Sequence, residues 1–181
     1  MTVSSGLLLG RDAARWGARF YLRHFWLVCG VSTIPTVQRF AAVRWGDDLP
    51  SWAAIGGEAL TGVSRVVLFY LVLRLAFGRD PVLAGLRAGE IWRRLGEGID
   101  RRPADFVLQF VLLGAAFVVL DVLPGLAVGH WVAAGSRELV MSILVAAKNP
   151  TVIAFTFVWM AGVARLLVLR EAATAPPPVT R

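Results

Sequence analysis

Between Asp105 and Val128 the chain reads DFVLQFVLLGAAFVVLDVLPGLAV, and after its first residue Asp121 is the only ionisable side chain. At 1.5 Å per residue, about 20 apolar residues bridge a hydrocarbon core of roughly 30 Å. Hydrocarbon requires every backbone N–H and C=O to bond internally, which a helix achieves by itself. The segment is therefore expected to be a transmembrane helix.

Three more runs have a comparable length, near residues 25–43, 54–77 and 151–169. With the run at 105–128 they make an all-α, polytopic membrane protein of four transmembrane helices spanning residues 25–169. Composition agrees: of 181 residues, 57% are apolar and only 17% charged, too greasy for a soluble domain of this size.

Residues 1–24 carry Arg11, Arg15, Arg19 and Arg23 four apart, with Trp16 and Phe20 elsewhere around the helix. That spacing predicts a basic amphipathic helix on the membrane surface. The arginines precede the first apolar run without interrupting it, which argues against a voltage sensor. The short run Leu7–Leu9 is too brief for a cleavable signal peptide, so the first span is expected to act as its own insertion signal.

Residues 80–102 form a predicted connector helix. Asp80 followed by Pro81 reads as an N-cap and first helical residue. Glu90 with Arg94, Arg93 with Glu97 and Glu97 with Arg101 are four apart, the spacing of helical ion pairs. Residues 131–148 hold an apolar run from Leu139 to Ala147 behind the charges of Arg137 and Glu138, and read as an outer interfacial helix. A fifth span is the alternative, disfavoured because those charges would enter the membrane. The Pro-rich residues 170–181 read as a flexible cytoplasmic tail.

The charges orient the chain. With a cytoplasmic N-terminus, fourteen of the nineteen basic residues fall on the inner side and four, Arg39, Arg44, Arg137 and Lys148, on the outer side, leaving Arg65 within the bilayer. The positive-inside rule thus places both termini in the cytoplasm of a cell whose plasma membrane holds the protein. Trp45, Trp52 and Trp131 gather at the outer interface, with Trp16 and Trp92 at the inner one. Eighteen arginines beside the single Lys148 point to a GC-rich, bacterial genome.

Four ionisable residues then lie inside the bilayer: Arg39, Glu58, Arg65 and Asp121. Counting 1.5 Å per residue, Arg65 is near the centre of its span, Glu58 about 10 Å outward, and Arg39 and Asp121 both about 7 Å outward. Glu58 and Arg65 are two turns apart and too distant to pair directly, so the expected pair is Arg39 with Asp121. Isolated charges at such depth are heavily penalised. Either these residues are ion pairs joining helices, or they line a polar cavity built on bent helices. Pro35 and Pro124 supply bends there, and Ser32, Thr33 and Thr36 are expected to satisfy the carbonyls that Pro35 frees.

Other chemistry finds no foothold. A lone cysteine, Cys29, makes no internal disulfide or metal cluster. His24 and His130 fall at opposite membrane faces and cannot share a haem. No phosphate loop, nucleophile elbow or H-E-x-x-H motif occurs. Asp47 and Asp48 read as a polar turn between spans, and basic residues distributed around apolar runs, not in one patch, argue against nucleic acid. No catalytic, cofactor or metal residue is assigned.

The expected function is that of a non-catalytic accessory, assembly or stabilising subunit, packing with a membrane protein partner or itself among membrane lipids. The alternative is a small transporter or lipid-handling protein whose outward-facing polar cavity binds an anionic group through Arg39 and Arg65.

Overall fold

The computed structural model describes residues 3–174. Among these the chain is all-helical: α1 (Val3–Arg23), α2 (Phe25–Trp45), α3 (Ser51–Gly78), α4 (Ala88–Arg101), α5 (Pro103–Trp131) and α6 (Ala134–Thr174). Three of them, α3, α5 and α6, are long and apolar enough to cross a membrane. The predicted first span is present as α2, but Gln38, Arg39 and Arg44 crowd its last turns and it falls outside that set.

Prolines shape the helices in two ways. The predicted interfacial segment, from Ala134 onward, and span 151–169 are one helix, α6, although Pro150 stands between them. A wide turn over Asn149–Ile153 absorbs the proline: the Ala154 N–H reaches the Asn149 carbonyl five residues back, and Thr151 Oγ1 donates to the Ala147 carbonyl at 2.7 Å. The charges that argued for a break, Arg137 and Glu138, sit within the first five residues of α6, ahead of its apolar length. In α5 a second wide turn, Val118–Val122, precedes Pro124, with the Leu123 N–H bonded to the Val118 carbonyl.

Pro35 is accommodated differently. Lacking an N–H, it frees the Val31 carbonyl one turn back, and Ser64 Oγ of α3 donates to that oxygen at 2.8 Å. Thr36 and Thr33, expected to make this repair, donate instead to the carbonyls of Ser32 and Cys29.

The connector helix begins at Ala88, not at residue 80. Asp80 does cap, but it caps a turn: Oδ1 accepts the Val82 N–H at 2.9 Å and the Leu83 N–H at 3.3 Å, which buries Leu83. Glu90–Arg94 and Arg93–Glu97 pair at 2.5 and 2.6 Å as expected of their spacing. Arg101 turns away from Glu97 to reach the buried Glu171 of α6 at 2.6 Å.

The helix α1 runs beside α5 in the same direction and antiparallel to the second half of α6. Its four arginines are exposed, while Leu9, Ala13 and Phe20 are buried against the bundle. Small residues permit the approach: a Cβ on Gly162 of α6 would lie 2.8 Å from the Trp16 ring and 3.2 Å from the Ala13 carbonyl. Two apolar cores result. One joins Phe20 and Val28 to Leu68 and Val72 of α3 and Val158 of α6; the other joins Leu9 and Ala13 to Val163 and Leu167, with Leu95 and Ile99 of α4 alongside. The predicted tail is helical to Thr174, and its remainder, 175–181, lies outside the described residues.

Candidate functional site

The short turn at 46–50 folds α2 back along α3, so residues equidistant from it face one another. Arg39 Nη2 therefore meets Glu58 Oε2 at 2.8 Å, and Gln38 Nε2 donates to the other carboxylate oxygen at 3.1 Å. Thr61 Oγ1 donates to Gln38 Oε1 at 3.2 Å and completes the α2–α3 network. The expected partner of Arg39, Asp121, pairs instead with Lys148 of α6, which also donates to the Asp121 backbone carbonyl at 3.2 Å. Equal depth was a poor guide because a hairpin neighbour at the right register is nearer than a residue across the bundle.

Arg65 makes no ion pair among the described residues. Its Nη2 donates to Asn149 Oδ1 at 3.1 Å, and its buried Nε has no hydrogen-bond partner. Asn149 is held in turn by donating from Nδ2 to the Pro35 carbonyl at 3.3 Å. Asn149 was not singled out in the sequence. The signal was an Asn-Pro pair inside an apolar run, where a wide turn exposes polar backbone and invites a buried amide.

Arg39, Arg65, Asp121, Lys148 and Asn149 line one cavity of about 300 Å³, between α2, α3, α5 and α6. Of the four residues proposed from sequence, three thus share a cavity, and Glu58 sits behind Arg39 as its counter-ion. The wall carries three cations against one carboxylate, and a guanidinium offers planar donors that match a carboxylate or phosphate. A second, larger cleft of about 590 Å³ opens between α1, α5 and α6, lined by Ala18, Leu22, Leu113, Leu120 and Trp159. The two share Phe117, Val152 and Thr156 as a common wall. Asp47 and Asp48 lie in an exposed turn, away from either.

Comparison of the chain with protein-family models, with curated proteins and with solved structures finds no match.

Proposed function

We propose that this is a non-catalytic, lipid-handling membrane protein that binds an anionic amphiphile, its headgroup in the Arg65 cavity and its chain in the adjoining apolar cleft. The observation that carries this reading is Arg65: a guanidinium with no carboxylate partner, facing a cavity that already has Arg39 and Lys148 on its wall. Buried charge without a partner is costly, and an anion would supply the missing counter-charge. The cleft beside it has the volume and apolar lining of a ligand site.

In this reading α2 is a fourth span. It runs back along α3 from Arg39–Glu58 to the contact of Arg79 with His24, so it crosses wherever α3 crosses. Four crossings return both termini to one side, the cytoplasm by the distribution of arginines.

The test uses the full-length protein in phosphatidylcholine nanodiscs, titrated with a fatty acid brominated along its chain. Bromine quenches nearby indoles, and Trp159 lines the cleft, so its signal is the difference between wild type and Trp159→Phe. Arg65→Gln is expected to weaken saturable quenching by about ten- to a hundredfold, the range for a hydrogen bond to a charged group. Unchanged affinity in Arg65→Gln, or equal quenching by the brominated alcohol, overturns the reading.

A second reading, an assembly subunit beside a partner or another copy of itself, draws on α5. Val107, Phe110, Val111 and Val118 leave one side of that helix exposed, a surface that lipid or protein would cover. Stoichiometric co-purification with a larger membrane protein from native membranes would favour it.

A further inference from the structure

At the other end of α3, about 20 Å from Arg65 by helical rise along residues 65–79, lies a cleft of about 520 Å³ that the proposed function does not use. Its ionisable lining comes from three helices: Arg19 and Arg23 of α1, His24 at the α1–α2 junction, Arg79 and Asp80 just past α3, and Arg165 of α6. Four guanidiniums face one carboxylate. That carboxylate is already committed, since Asp80 pairs with Arg165 and caps the amides of Val82 and Leu83. No carboxylate pairs with Arg19, Arg23 or Arg79 among the described residues.

Two of the guanidiniums are also oriented by ring side chains. The Trp16 ring packs against Arg165, whose guanidinium carbon is 5.6 Å from the ring centroid. His24 Nδ1 lies 3.1 Å from the Phe20 carbonyl and donates to it, so Nε2 is free to accept from Arg79 Nη1 at 3.0 Å. The imidazole thus orients a cation without supplying a carboxylate to it. Arg19 and Arg23, one turn apart, complete the rim. Like charges brought together on separate helices repel unless an anion joins them, and guanidiniums converging from three helices suit a tetrahedral, multiply charged oxyanion.

We infer that the cleft between α1, the end of α3 and α6 is a binding site for a phosphate group, presented by a lipid headgroup or by a free phosphate compound. The cleft opens at the end of α3, a helix long and apolar enough to cross a membrane, where a lipid headgroup would be met. It is separate in position and residues from the Arg65 cavity.

The experiment counts phosphatidic acid bound to the full-length protein by native mass spectrometry, after release from phosphatidylcholine nanodiscs doped with that lipid. Arg65→Gln is included as a second background, so that occupancy of the other cavity is scored separately. Arg23→Gln with Arg79→Gln removes two charges from the cleft; Arg11→Gln with Arg15→Gln removes two from the same helix outside it. The first double variant is expected to lose about a hundredfold in affinity, for two lost charge-assisted hydrogen bonds, and the second at least several-fold less. Thermal unfolding in detergent checks that both variants fold. Saturable binding of inorganic phosphate with the same Arg23 and Arg79 dependence supports the site and assigns it to a free phosphate. Equal losses in the two double variants, or a wild type that neither prefers phosphatidic acid over phosphatidylcholine nor binds inorganic phosphate saturably, overturn it.

Discussion

Two polar clusters sit between helices in this protein, and they are built to opposite specifications. On the flank of α1, Ser5 Oγ donates to Asp105 Oδ1 at 2.7 Å, and Gln109 Nε2 donates to the Gly6 and Asp105 carbonyls at 2.9 and 3.0 Å. Gln109 is 0% and Asp105 5% exposed, and the helices close over them. Around Arg65 the polar groups stand off from one another and enclose open volume, with cations in excess. A clasp that only holds helices together is packed shut, because voids forfeit contacts. Charge gathered around a void costs stability that packing alone does not recover, and the anion proposed above would offset that cost.

The largest effect that tests this contrast falls on the closed flank. Gly162→Val places a side chain against the Trp16 ring and the Ala13 backbone, and the backbone cannot yield by rotating. A loss of about 3 kcal/mol is expected from such overpacking, seen as a lower melting temperature in detergent. A fully stable variant would show the flank to be as loose as the cavity.

Arg65→Gln should behave in the reverse sense, with anion binding down by about 1.5–3 kcal/mol and little change in melting. If it melts like Gly162→Val, the cavity cluster is glue of the same kind as the clasp. Ser64→Ala leaves the Val31 carbonyl unbonded at a cost of about 1–2 kcal/mol. In a Pro35→Ala background that cost should largely vanish, since the substituted alanine returns a backbone N–H to the same carbonyl. Additive losses in the double-mutant cycle would refute the repair. The smallest effect is expected at Arg44→Gln, whose partner Glu138 sits 2.7 Å away at the exposed end of the bundle. About 0.2–1 kcal/mol, diminishing with salt, is typical of such pairs.

Much of this was legible from residues alone. Apolar runs located α3 and α5, and the four-residue spacing of charges located the ion pairs of α4, because both depend on neighbours within a turn or two. Arg39, Arg65 and Asp121 stood out because each interrupts an apolar run. Their partners were not: Arg39 chose Glu58 through the register of a hairpin, and Asp121 chose Lys148 through the length of a lysine stem. Asn149 was overlooked since an amide beside a proline looks like the end of a helix, whereas the wide turn lets α6 continue through it.

The sequence by itself determined that the chain is helical, that it contains membrane-crossing lengths and that a few charges are trapped among them. These follow from hydrophobic transfer and backbone hydrogen bonding, which act locally and need no knowledge of the neighbours. Only the tertiary structure decided that Ser64 answers Pro35, that Arg65 has an amide and no acid beside it, and that this arginine faces open volume. Those outcomes turn on a few ångströms of helix register and splay, and such distances are set by packing between segments that are remote in the chain.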